Sequence, residues 1–165
     1  MAASEVSELV ELGRVAAAVG LATAIGVERE LRHKDAGIRT HALIGLGSAL
    51  FVIVSKYGFA DVRQAGVSFD PSRVASIVVS GIGFIGAGVI FIHRGDVKGL
   101  TTAASIWVSA ALGVACGAGM VVLAAAAVAI YLTTIVALRW LETHLGSKPP
   151  SDAVAPQPTS KAPTD

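Results

Sequence analysis

Residues 76–92, SIVVSGIGFIGAGVIFI, and residues 101–117, TTAASIWVSAALGVACG, decide the fold. One short charged stretch separates them, His93-Arg94-Gly95-Asp96-Val97-Lys98-Gly99. Both runs are apolar along their length, yet both are rich in Gly, Ala and Ser. In lipid there is little hydrophobic drive between helices. Association then rests on close packing of small residues and on hydrogen bonds between helices. The two runs read as a tight helical hairpin at the centre of a membrane bundle, spanning about 74–92 and 101–117 around a polar loop.

The composition agrees. Of 165 residues, 53% are hydrophobic and only 15% charged, and the mean hydropathy is +0.68. That is too apolar for a water-soluble domain of this size and indicates an integral membrane protein. The net charge of +1 gives no basic field for nucleic acid. Cys116 is the single cysteine, so no intrachain disulfide forms. Glu5, Glu8 and Glu11 precede the first cation, Arg14. A cleaved signal peptide needs a positive start, so none is expected.

Outward from the hairpin, three further spans are expected. Residues 1–8 form an acidic lead. The first span runs from about 9 to 27, with Gly13, Ala17, Gly20 and Ala24 stacked on one face. Glu28 continues that stripe by a turn. Residues 28–40 read as a polar loop with Arg29, Arg32, Lys34 and Arg39. The second span covers about 41–59, with His41, Gly45, Ser48, Val52 and Ser55 sharing a face. Residues 60–73 connect, and Asp70-Pro71-Ser72 reads as a helix start. In the third span, Ser76, Ser80, Gly83 and Ala87 form one stripe with Gly81 and Gly88 beside it. Val78, Val79, Ile82, Ile85, Val89 and Ile92 are assigned to lipid. The fourth span places Thr102, Ser105, Ser109, Gly113 and Cys116 on one face. The fifth covers about 120–138, with Arg139 and Trp140 at the interface. The tail 146–165, GSKPPSDAVAPQPTSKAPTD, is Pro-rich and expected to be disordered.

The expected fold is therefore all-α, an integral membrane bundle of five transmembrane helices over 9–145. The 28–40 loop, the 93–100 loop and the C-terminal segment hold nine Lys or Arg, against four on the opposite side. This bias places the N-terminus outside and the C-terminus in the cytoplasm.

Gly81-Ile82-Gly83-Phe84-Ile85-Gly86 matches the GxGxxG pattern formally. A dinucleotide site needs a strand before it and an acid about 20 residues on. Here the motif lies inside an apolar run, and Asp96 follows after ten residues, so helix packing explains it. Glu28 sits at a helix end facing the bundle, where ionisable groups are often functional. Its plain alternative is a pair with Arg32 at i, i+4. His33, Asp35 and His41 with Glu28 and Glu30 match no standard metal-ligand spacing, nor do His93 and Asp96. No catalytic constellation is present, so neither an enzyme nor a cofactor is expected. The span interiors carry no carboxylate, which counts against a cation pathway.

Several motifs in order resemble the MgtC/SapB family. They are Glu28-Arg29, Ala36-Gly37-Ile38-Arg39-Thr40-His41, Gly45-Leu46-Gly47-Ser48-Ala49, the run Ser80 to Gly88, and Val97-Lys98-Gly99-Leu100-Thr101-Thr102-Ala103-Ala104-Ser105-Ile106-Trp107. The resemblance covers about residues 12–140. It implies a bacterial inner-membrane protein of five helices, supporting growth at scarce magnesium and survival inside macrophages. It also implies regulation of partner membrane proteins, the F-type ATP synthase among them. Virulence-associated members carry Asn where Thr101 stands and Cys where Val108 stands. Long members add a soluble C-terminal domain, so this chain resembles the short, transmembrane-only form.

The reading is a regulator that acts by contact within the lipid bilayer, on a partner membrane protein or a second copy of the chain. Its functional candidates are Glu28, Arg29, Arg39, Asp96, Lys98, Thr101 and Thr102. The packing candidates are Gly13, Ala17, Gly20, Ala24, Ser80, Gly81, Gly83, Ala87, Gly88, Ser105, Ser109 and Gly113. Ser80→Leu or Gly83→Leu is expected to disturb packing between the third and fourth spans. The rival is a transporter or channel for Mg²⁺ or another small solute, using Glu28, Thr102, Ser105 and Ser109.

Overall fold

A computed structural model of the chain describes residues 2–59, 70, 72–93 and 96–145. Its elements are α1 (Ala2–Leu31), α2 (Ile38–Tyr57), α3 (Ser72–Gly88), β1 (Phe91–His93), β2 (Asp96–Lys98), α4 (Leu100–Ala118) and α5 (Val121–His144). Five helices form, as the hydropathy demands. Four are long and apolar enough to cross a membrane: Ser7–Leu31, α2, α4 and α5. The tail 146–165 and most of the 60–73 connection lie outside the described residues.

The core is the mutual packing of α1, α2 and α4, with α3 set against α4 and α2 and α5 against α1 and α4. Small residues make the core possible. A Cβ on Gly113 of α4 would lie 2.6 Å from the Gly45 carbonyl oxygen and 2.6 Å from the Ser48 Cβ. The α2 and α4 backbones therefore nearly touch, and only glycine fits at the crossing. The faces expected on these two helices are the buried ones: His41, Gly45, Ser48, Val52 and Ser55 on α2, and Thr102, Ser105, Ser109, Gly113 and Cys116 on α4.

The face of α1 differs from expectation. The buried residues are Ala18, Ala22, Ile25, Gly26 and Arg29. Gly13 and Gly20 are exposed with open space beside them. Ala17 and Ala24 pack only at the edge of the core. The buried stripe lies one residue further along, about 100° around the helix at 3.6 residues per turn.

The α3 reading is corrected more deeply. Ile82 and Gly86 are its buried residues, and Val78 and Val89 pack against the cluster that Ile82 forms with Ala36, Ile106 and Ala110. Ser80, Gly81, Gly83, Ala87 and Gly88 are exposed. The reason is the receiving surface. Ile82 clusters with Ile106 and the small Ala110 of α4, while Gly86 lets Ala103 approach. Within the chain, then, neither Ser80 nor Gly83 packs against α4.

The third span also ends early. α3 stops at Gly88, and the segment expected to continue as helix pairs instead as an antiparallel hairpin: Phe91 with Lys98, Ile92 with Val97, His93 with Asp96. Val-Ile-Phe-Ile is apolar enough for a membrane helix, but its β-branched and aromatic side chains favour a strand. Gly99, at φ +85°, turns the chain from β2 into α4, and its missing Cβ leaves room for the Val89 carbonyl. At the start of α3, Asp70 Oδ1 accepts from the Ser72 amide at 2.9 Å and from the Ser72 hydroxyl at 2.6 Å. These bonds hold the Asp70 carboxyl below its ordinary value.

Candidate functional site: a buried polar cluster between α1, α2, α4 and α5

Of the expected loop 28–40, both ends are helix and only 32–37 remain as the connection. α1 continues to Leu31 and α2 starts at Ile38. The join is tight because Glu30 Oε2 accepts the Ile38 amide at 3.2 Å, and a side chain at Gly37 would strike that carboxylate. Lengthening α1 by a turn places Arg29 on its inner face.

Arg29 is 2% exposed, and its Nη2 donates to Thr102 Oγ1 at 3.0 Å. The Thr102 carbonyl accepts the Ser105 hydroxyl at 2.8 Å. One turn deeper along α4, Ser109 Oγ is hydrogen-bonded to His41 Nδ1 at 2.7 Å, the donor set by the imidazole tautomer. His41 is wholly buried, and Arg29 is the charge that acts on it. Glu28, beside Arg29, pairs with Arg32 one turn on. Tyr131 of α5 approaches Ser105 and Arg29 with its hydroxyl, without a well-formed hydrogen bond.

Four helices thus contribute to one polar region inside an apolar bundle. Unpaired polar groups are costly in such surroundings, so the bonds fix the relative positions of the helices. The fixed charge is cationic. Arg32 pairs with the Glu28 carboxylate, Arg29 adds a second guanidinium bonded to Thr102, and the remaining members are hydroxyls and an imidazole. A site built this way favours anions or neutral donors and acceptors over a divalent cation. Among the described residues no group of three His, Cys, Asp or Glu comes together in metal-binding geometry.

The family model for the MgtC family matches residues 15–144. The chain belongs to the MgtC family. It is 62% identical over 98 residues to YhiD of Escherichia coli (strain K12), whose name carries a provisional assignment as a magnesium transporter. That match covers 59% of this chain and 46% of YhiD. It is 46% identical over 115 residues to protein MgtC of Brucella abortus (strain 2308), covering 70% of this chain and 45% of the relative. It is 42% identical over 135 residues to protein MgtC of Salmonella choleraesuis (strain SC-B67), covering 82% and 55%. The chain spans about half the length of these relatives. No solved structure matches it.

In this MgtC-family chain the structure sorts the seven functional candidates. Arg29 and Thr102 join directly, and Glu28 sits beside them. Arg39, Asp96 and Thr101 are exposed, and Lys98 is partly buried in β2. Those four stand outside the cluster. Ser105 and Ser109, read as packing residues, are members of it through their hydroxyls. The sequence reading set His41 on the buried face of α2 but gave it no partner, and passed over Tyr131. Its phenol is the one aromatic of the fifth span (about 120–138), which was the available signal.

A second polar group marks the opposite end of the bundle. Arg14 Nη1 donates to the Glu11 carboxylate at 2.9 Å and to the Tyr57 hydroxyl at 3.2 Å. Lys56 Nζ donates to the Ala118 carbonyl at 3.3 Å, and the Arg14 guanidinium lies against Gly119. Two cations therefore meet the carboxyl end of α4, where the helix dipole favours them.

Proposed function

We propose that the protein regulates partner membrane proteins by direct contact in the bacterial inner membrane, in adaptation to low magnesium. The observation that carries this is Arg29. A guanidinium bonded to Thr102 occupies the polar interior, where a Mg²⁺ pathway calls for acceptors of negative charge. Contact with a partner is supported by the outer face of α3. Ser80, Gly83 and Ala87 lie there exposed among the described residues, and small-residue stripes let a second helix approach closely. A groove of about 260 Å³ between α3 and α4, lined by Val79, Ile82, Trp107 and Val114, adjoins it. The Lys and Arg distribution supports an N-terminus outside and a cytoplasmic C-terminus. The family resemblance supports the magnesium link and extends, through some members, to intracellular survival and to the F-type ATP synthase as partner.

The name of YhiD favours a second reading, Mg²⁺ transport, and one experiment separates the two. Purified protein is placed in liposomes and Mg²⁺ flux is followed. In parallel, a deletion strain is grown at limiting Mg²⁺ with wild-type, Glu28→Gln or Gly83→Leu restored. Contact regulation gives no flux, rescue by wild-type and failure of Gly83→Leu despite normal membrane levels. Robust flux that Glu28→Gln abolishes overturns the proposal.

A further inference from the structure

We infer that the β1–β2 hairpin is an interfacial membrane anchor, with Ile92 and Val97 turned into the acyl boundary of the bilayer. The two strands alternate their side chains between faces. The paired residues Ile92 and Val97 share one face. Lys98 and Asp96 lie on the other. That pair is open, with Ile92 76% exposed and Val97 51%; the other face carries the half-exposed Phe91 and the exposed Asp96 beside the partly buried Lys98. Phe91, Ile92 and Val97 thus leave apolar side chains open on both faces of the ribbon, and the Ile92–Val97 face is the one that carries no charge among the described strand residues.

The length of α3 points the same way. Its 17 residues span about 26 Å at 1.5 Å per residue, short of a hydrocarbon layer about 30 Å thick. The apolar sequence nevertheless continues through Val89, Ile90, Phe91 and Ile92. The hairpin begins where the helix has ended and the apolar run has not. Its depth is bounded from the other side by its backbone. Among the described residues no third strand pairs with this ribbon, and N–H and C=O groups left unpaired are excluded from hydrocarbon. The ribbon therefore lies at headgroup level, its edges hydrated, with only the Ile92 and Val97 side chains reaching lipid.

The test uses nitroxide labels on the full chain in vesicles of phosphatidylethanolamine and phosphatidylglycerol. Cys116 is the single cysteine and is fully buried. Ile92→Cys, Val97→Cys and Asp96→Cys are labelled in a Cys116→Ala background. The native background serves equally if Cys116→Ala does not purify folded, because labelling reagents do not reach a buried thiol. Collision with oxygen, which concentrates in lipid, is compared with collision with a water-soluble nickel chelate. The anchor gives labels at 92 and 97 several-fold more accessible to oxygen than to nickel, with the order reversed at 96. Equal nickel access at all three positions places the hairpin in water and overturns the inference. Low access to both probes at 92 and 97 shows a protein covering the face, and overturns it as well.

Discussion

Gly113→Ala tests the packing of the core with the smallest possible change. The added Cβ lies 2.6 Å from the Gly45 oxygen, 2.6 Å from the Ser48 Cβ and 3.2 Å from the Ala49 nitrogen. None of these is the free end of a flexible side chain, so α2 and α4 must separate. Ordinary contact between such atoms needs about 1 Å more. Overpacking of this kind costs about 1–3 kcal/mol. Alanine's better helix propensity returns about 0.5–1 kcal/mol, leaving a net loss of roughly 0–2.5 kcal/mol, centred on about 1.3 kcal/mol. At 1.4 kcal/mol per tenfold, the unfolded fraction rises by about an order of magnitude. Reversible unfolding in mixed detergent micelles measures it by circular dichroism. Gly83→Ala is the control, since a Cβ there meets nothing within 4 Å, and it is expected to be neutral or slightly stabilising. A Gly113→Ala protein as stable as Gly83→Ala refutes the crossing geometry.

Thr102→Val removes the acceptor of the buried Arg29 guanidinium and is expected to cost about 1–3 kcal/mol in the same assay, with Thr102→Ser retaining most of it. Ser109→Ala does the equivalent to His41, and replacing both Ser109 and His41 by apolar residues costs less than the two single losses added together. Gly99→Ala forces a side chain into φ +85° and into the Val89 carbonyl, so limited proteolysis between α3 and α4 accelerates while cleavage elsewhere does not. The Asp70 carboxyl, held below its ordinary value by Ser72, is expected to titrate below the ordinary aspartate range in carboxyl carbon NMR. A lowered folded value means its cap supports α3 above the unfolded value and is lost as the pH falls through the folded one. Ser72→Ala moves the midpoint back upward.

The faces of α2 and α4 were legible because their hydroxyl and small residues fall on the stripe that is buried. In a membrane, polarity marks the inside more sharply than hydrophobicity does. On α1 the same logic met two neighbouring small-residue stripes, Gly13-Ala17-Gly20-Ala24 and Ala18-Ala22, and spacing alone does not choose between them. The deciding residue was Arg29, which looked like loop because charge usually ends a span. On α3 the small residues pointed outward, since packing there sets Ile82 against Ile106 and the small Ala110 of α4. Such a fit depends on the partner helix and leaves no mark in the α3 sequence. The hairpin was hidden for a related reason: Val-Ile-Phe-Ile satisfies lipid equally as helix or as the face of a ribbon.

The core helices α1, α2 and α4 are not consecutive in the chain. His41 and its partner Ser109 are 68 residues apart, and Arg29 and Thr102 are 73 apart. At a ribosomal rate of about 5–20 residues per second, α1 and α2 wait roughly 3–15 s before α4 is synthesised. During that interval the buried imidazole and guanidinium face lipid, water defects or the insertion machinery with no native partner. Biogenesis therefore passes through a half-built hairpin with an exposed polar seam, and α4 closes it on arrival. Substitutions in that seam act first on insertion yield, before any finished protein exists.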